Sequence, residues 1–170
     1  MVKGTVYRLM DSYTLFYFKF VKGNIDNDRT FWSNSLESSF RSAWLGFAFE
    51  RLCLIHVDQI KRALGIAGVR TSVSTWRHKA NKEFPKGAQI DLIIDRRDDI
   101  INLCEMKFCN GKFLISKKYD GELESKRQIF KMVTGTKKAV HLTMVTTEGV
   151  EHNSYWNDIK TEVTLDDLFA

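Results

Sequence analysis

Residues 87–108 read GAQIDLIIDRRDDIINLCEMKF. Two apolar runs flank a charged turn, and the way they pair decides the fold. Side chains alternate faces along a strand. In the first run Ala88, Ile90, Leu92 and Ile94 share one face, and Gln89, Asp91, Ile93 and Asp95 share the other. In the second, Ile100, Asn102, Cys104, Met106 and Phe108 lie on one face, and Ile101, Leu103, Glu105 and Lys107 on the other. The connection RRDD is short, which predicts an antiparallel hairpin. A three-residue loop centred on Asp98 sets Asp91 opposite Glu105 and Gln89 opposite Lys107. A two-residue loop brings Asp91 level with Cys104 instead. We favour the former because it gathers Gln89, Asp91, Glu105 and Lys107 on one patch.

Outward from the hairpin, the chain alternates helical and extended signals. Ser33 to Leu64 has almost no breakers and predicts one long helix or two short ones, capped by Ser35 or Ser38. It is apolar on most sides, as a helix buried between layers would be. Glu50 sits in its middle, between Phe47 and Leu54 at helical spacing. Gly65 to Gly68 ends that helix. Val69 to Trp76 predicts a strand, Phe113 to Tyr119 (FLISKKY) another, and Ala139 to Thr146 a further one. Asp120 is a candidate cap for a helix from Gly121 to about Val133. Ser154 to Ile159 reads as a turn of helix, and Thr164 as the cap of a last short one, LDDLF. The order predicts an α/β (mixed α+β) domain with a central mixed sheet flanked by helices.

At the N-terminus TVYRLMDSYTLFYFKFV is unusually aromatic. Tyr7 and Leu9 suggest a short strand, and Asp11 or Ser12 the cap of a helix. We divide the chain into this extension, residues 1–30, and a single domain, residues 31–170. A chain of 170 residues, 44% of them hydrophobic, can bury one core. One proline and ten glycines exclude a linker-rich or disordered protein. The formal charge of +5 is compatible with a polyanionic partner and equally with a basic solvated surface. The three cysteines are too few for a disulfide framework, so Cys53 and Cys104, in apolar runs, read as small core residues. No signal peptide or membrane span is evident, and a cytoplasmic location is expected.

Two carboxylates across a hairpin repel each other. In a half-buried setting that repulsion calls for a positive charge between them. Lys107 can neutralise one; a divalent cation neutralises both and is the usual tenant of hard oxygen ligands. The bland alternative is a solvated sheet face with a cross-strand ion pair. The apolar setting of both strands, and Glu50 in a buried helix upstream, favour chemistry.

The arrangement resembles the PD-(D/E)xK nuclease superfamily, which carries an acid on a first core helix, an acid on the second core strand and E-x-K on the third. The matching positions are Glu50 in GFAFERL, Asp91 in GAQIDLII, and Glu105-Met106-Lys107 in CEMKF. The literal PD doublet is missing, because Pro85 does not precede the Asp. These motifs span roughly Trp44 to Phe130. Over almost the whole chain, YRLMDSYTLFYFKFV, WLGFAFE, LGI, QIDLIIDR, CEMKF and the closing DDLF look like the C-terminal nuclease-like domain of bacterial and archaeal AAA-type ATPases. There is no GxxxxGK[ST] phosphate loop. The chain would then be a detached C-terminal piece, natural or engineered, or a stand-alone copy.

The resemblance implies a restriction-endonuclease-like core that hydrolyses DNA phosphodiester bonds with Mg²⁺ or Mn²⁺. Asp91 and Glu105 would bind the metal, with the Met106 carbonyl as a further ligand and Glu50 acting through a water or a second metal. Lys107 would position the attacking water. Gln89, Lys126 and Gln128 are weaker candidates for phosphate or water contacts. Arg77, His78, Lys79, Lys82 and Lys86 would line a phosphate-binding rim. Two alternatives stand beside this: a catalytically silent nuclease-fold module that binds DNA or a protein beside an ATPase, with the aromatic N-terminal segment as the contact, and a purely structural domain.

Overall fold

The computed structural model describes residues 11–23, 28–35 and 39–170. The hairpin forms in the three-residue register. β2 (Ala88–Arg96) and β3 (Ile100–Lys107) pair antiparallel, with Leu92 opposite Cys104, Ile93 opposite Leu103 and Asp95 opposite Ile101. The connection is residues 97–99, and Asp99 takes a φ of 62°. A left-handed last residue is how such loops close, and Asp tolerates that conformation better than most side chains. The ladder's last pair is Leu92–Cys104, so Asp91 and Glu105 lie just beyond it.

β1 (Thr71–His78) pairs antiparallel with β2, with an irregularity between Ser74 and Trp76. After β3 the chain makes a helical crossover, α4 (Lys117–Thr134), and returns as β4 (Ala139–Thr146), parallel to β3. A parallel pair needs such a crossover, because a tight turn cannot reverse the chain twice. β5 (Ile159–Thr164) adds in parallel beside β4. The result is a five-stranded mixed sheet in the order β1-β2-β3-β4-β5, with helices on its faces. The expected fold class is the one found.

Both sheet faces are buried, which explains why the strands read as nearly continuous apolar runs. Over one face α4 sets Leu123 and Phe130 against Ile93, Ile101, Leu103, Leu142 and Met144. On the other, Leu92, Ile94, Cys104, Val145 and Val163 are all buried. Cys53 and Cys104 are both core residues, as expected, and Cys53 lies close enough to Cys104 to help push its thiol well above its usual range, though burial is the larger cause.

Four expectations are corrected. Phe113 to Tyr119 is not a strand: only an isolated bridge joins Phe113 to Val150. Its second half begins α4 instead. Ser116, not Asp120, is the cap; its hydroxyl accepts the Tyr119 N–H at 3.2 Å, while Asp120 falls in the first turn. The far end stops at Gly135, left-handed at φ 62°, whose N–H reaches the Lys131 carbonyl. The third correction is β5: IKTEVT gives a weak alternating signal and was not anticipated as a strand. A 3₁₀ turn at Trp156–Asp158 precedes it. The closing turn Asp166–Leu168 has Leu165 at its N-cap and no side-chain cap bond; Thr164, the expected cap, instead donates its N–H and hydroxyl to Asp167 at 2.7 and 2.8 Å.

The chain divides into two compact units, Met1–Arg51 and Leu52–Ala170. In the first, Asp11 caps α1 (Ser12–Phe16) by accepting the Thr14 N–H at 2.7 Å, and a π-helical turn, Tyr17–Val21, follows. Phe16, Phe20, Trp32 and Trp44 pack edge to face, with ring centroids 5.0 to 5.7 Å apart. Arg41 lies over the Trp32 ring and donates to the Trp32 carbonyl at 2.7 Å. Tyr13 and Phe18 point outward, 71% and 60% exposed. Tyr7, Leu9 and Ser38 lie outside the described residues. The long helical signal resolves into a 3₁₀ turn (Ser33–Ser35), α2 (Ser39–Ile55) and α3 (Val57–Ala63), with the break at His56 and a left-handed Gly65 after α3. Among the described residues no helix is long and apolar enough to cross a membrane.

The corrected start of α4 has a measurable consequence. Ser116→Ala should lower stability in urea unfolding by about 1 kcal/mol, and Ser116→Asp should restore it. An unchanged midpoint for Ser116→Ala would place the cap elsewhere.

Candidate functional site

Three of the expected residues meet on the face of the sheet that α4 covers. Asp91 leaves β2 just past the last ladder pair, and its Oδ2 accepts the Met106 N–H at 3.0 Å. The acid therefore grips the backbone of the strand that carries Glu105. Met106 itself turns its side chain into the opposite core, where it is buried. Glu105 is 2% exposed. A carboxylate removed from water this far needs partners. Lys126 supplies one, its Nζ 2.6 Å from Glu105 Oε2. Lys107 supplies a weaker one, 3.9 Å from the same oxygen.

Lys126 was only a minor expectation from sequence, yet it is the strongest partner in the site. Its position was readable: Tyr119, Leu123, Lys126 and Phe130 fall at helical spacing, one stripe of α4. Leu123 and Phe130 on that stripe are buried against the sheet. A lysine between them must turn its amine toward the same face.

Both ammonium groups address Oε2. Glu105 Oε1 is buried and has no hydrogen-bond partner. Thr146 Oγ1 is in the same condition, while the Tyr119 hydroxyl, buried as well, interacts with the Glu105 carboxylate. Thr146 stands beside Lys107 in the parallel β3–β4 register, so it shares the face of Glu105. The Tyr119 ring lies 5.6 Å from Lys107 Nζ. Sequence reasoning passed over Tyr119 and Thr146, since a lone Tyr or Thr in an apolar pattern carries no motif. Buried polar atoms are nearly always bonded in folded proteins. Glu105 Oε1 and Thr146 Oγ1 are thus buried on one face without a hydrogen bond of their own.

The electrostatics agree. Burial raises Glu105 above its ordinary carboxylate range and the Asp91 charge raises it further, while Lys126 and then Lys107 pull it down. The Tyr119 phenol is also pushed up, first by burial and then by the charges of Glu105 and Asp91. The Asp91 charge is thus felt at Glu105 beside two lysines, though burial is the larger cause of the shift. Hard cations take carboxylate oxygens as ligands, and Glu105 Oε1 is the oxygen not addressed by either lysine. Among the described residues, no three His, Cys, Asp or Glu side chains gather in a group able to hold a metal. The cluster described here belongs to the second unit alone. Glu50 stands in the first, on α2, half-buried.

The remaining candidates separate. Gln89 pairs across from Arg77 on β1, and with Arg77, His78 and Lys79 it lines an open depression of about 420 Å³. Lys86 and Gln128 face a different, more apolar groove with Phe84 and Met132. Gln128 also bonds to Glu124 along its own helix. Lys82 is exposed.

No protein-family model matches the chain, and no curated protein matches its sequence. Among solved structures, the crystal structure of a protein of unknown function, AF1548, is similar at a TM-score of 0.46 and 14% identity. The match covers 69% of this chain and 64% of that one, so less than two thirds of that protein's length.

The raised Glu105 sets a pH dependence. Between its ordinary value near 4.5 and its raised value, the folded protein holds more protons than the unfolded chain. Stability should therefore fall as pH rises through that window in the absence of divalent metal. Glu105→Gln should flatten this portion of the profile in urea melts. A parallel wild-type and variant profile would show that the carboxyl is not perturbed.

Proposed function

We propose that this chain is a metal-dependent nuclease-like domain that hydrolyses DNA phosphodiester bonds, of the kind carried C-terminally by AAA-type ATPases. The observation that carries the reading is the convergence of Asp91, Glu105 and Lys107, with one buried Glu105 oxygen left open. They occupy the second and third strands of the sheet, where the PD-(D/E)xK resemblance expects them. By that resemblance Asp91 and Glu105 would hold the metal, with the Met106 carbonyl as a further ligand. A bound Mg²⁺ or Mn²⁺ supplies charge stabilisation at phosphorus and a more acidic water. Lys107, whose side chain is about one third exposed, reaches outward and positions the attacking water. Lys126 holds the Glu105 carboxylate in one orientation. The basic depression around Arg77, His78 and Lys79 is a candidate rim for the DNA backbone.

A second reading has its own support. The 2.6 Å contact between Lys126 and Glu105 already occupies one oxygen of the central acid, and Tyr13 and Phe18 present aromatic surface in the N-terminal unit. Both suit a silent nuclease-fold module that binds DNA or a protein partner beside an ATPase.

Plasmid cleavage in Mg²⁺ or Mn²⁺ separates the two. The enzyme reading expects nicking or linearisation by wild type and a loss of roughly 100-fold or more in Asp91→Ala and Lys107→Ala. Calorimetry with Mn²⁺ should show a site that disappears in Asp91→Ala. Absent, metal-independent or equal activity in all three proteins would remove the enzyme reading. DNA binding that survives Glu105→Gln without turnover would favour the silent module.

A further inference from the structure

The opposite end of the same hairpin carries a second polar site. Asp95 stands four residues beyond Asp91 on β2, roughly 13 Å along the strand. There Arg70, Thr71, Ser72, Asp95, Arg97 and Lys138 line a cavity of about 320 Å³. The backbone fixes its walls. Thr71 pairs with Arg96 and Ser72 with Asp95 in the β1–β2 ladder, and the Arg97 N–H donates to the Arg70 carbonyl at 3.0 Å. The backbones of the two arginines are thereby set side by side at adjacent strand ends. Lys138, at the entry to β4, is anchored from below: its Nζ is 2.6 Å from Asp95 Oδ1 and 2.6 Å from the Arg96 carbonyl. An ammonium has three donors, so one remains.

The lining carries three cations against one carboxylate. Two of the cations, Arg70 and Arg97, and both hydroxyls, Thr71 and Ser72, have no side-chain partner among the described residues. Forked guanidinium groups beside hydroxyl donors are the chemistry that grips a tetrahedral oxyanion. The net lining charge of +2 (three minus one) matches a phosphate dianion. No aromatic or apolar side chain lines the cavity, so a nucleobase would find nothing to stack on. The volume lies at the lower end of the range for small-ligand sites, about 300–1,000 Å³.

We propose that the cavity bounded by Arg70, Thr71, Ser72, Arg97 and Lys138 is a phosphate-binding site, separate from the acidic cluster and recognising the phosphate group without its base. It does not rest on the nuclease reading. The phosphate comes either from a free anion or from a nucleic-acid backbone.

Calorimetry on the full chain, in EDTA and at low ionic strength, tests it with sodium pyrophosphate, inorganic phosphate and a short DNA duplex as probes. Wild type should bind pyrophosphate or phosphate saturably. The double variant Arg70→Ala/Arg97→Ala should weaken that binding by at least about tenfold, and Asp91→Ala should leave it unchanged. Both arginines are exposed, so the double variant should melt like wild type. Duplex affinity that falls together with pyrophosphate affinity identifies a backbone phosphate; duplex affinity that does not move identifies a free anion. No saturable binding of either small anion up to about 10 mM, or equal binding by wild type and the double variant, would overturn the site.

Discussion

The register of the β2–β3 hairpin is the constraint on which the rest depends. A slip of one residue would bring Asp91 level with Cys104 and so part it from Glu105, one acid on each face of the sheet. The turn prevents this. Three residues, with Asp99 left-handed at the end, lock Leu92 against Cys104. Apolar patterning alone would not, because both faces of these strands are buried and either register hides hydrophobic side chains. The acids are a more sensitive marker. In the observed register Asp91 reaches the Met106 amide, and Glu105 lies opposite the stripe of α4 that carries Lys126.

From that register follows an electrostatic arrangement that a structural role explains poorly. A buried ion pair rarely adds net stability over a packed apolar pair, because removing two charges from water costs several kcal/mol per ion. Here two lysines converge on a single Glu105 oxygen, while Oε1 and Thr146 Oγ1 stay buried without a hydrogen bond. A fold selected only for stability would fill that face with leucine, as it does at Leu103 and Leu142 one step along. Keeping the polar atoms there costs stability.

Much of this was legible in the residues. β2, β3 and β4 announced themselves through length and β-branched content; RRDD left two loop lengths open, and the clustering of the acids pointed to the three-residue one that forms. Asp91, Glu105 and Lys107 were readable because period-two alternation places them on one face. Lys126 was half legible: its helical spacing with Leu123 and Phe130 pointed inward, but a lysine on a helix is ordinarily solvent-facing. Tyr119 and Thr146 were invisible because a lone Tyr or Thr carries no motif. The FLISKKY segment misled through alternation that served a different end: Phe113 and Ile115 anchor a loop, and Ser116 interrupts the pattern by capping α4. β5 escaped because IKTEVT alternates weakly and gains its strand from pairing with β4, a tertiary contact that local preference does not encode.

The two ends of the hairpin divide charge in opposite senses. Toward the end of β3, two acids face two lysines. Toward the turn, Arg70, Arg97 and Lys138 outnumber Asp95. The net charge of +5 is therefore not spread as a featureless basic coat. A phosphate-rich ligand lying along the hairpin would meet cations at the turn and a cation-seeking site at the other end. Phosphate oxygens and carboxylates repel unless a metal stands between them. Such a ligand would thus be held at one end by the protein's own arginines and admitted at the other only through a divalent ion. On the two proposed readings, metal dependence would belong to one end of the hairpin and salt dependence to the other.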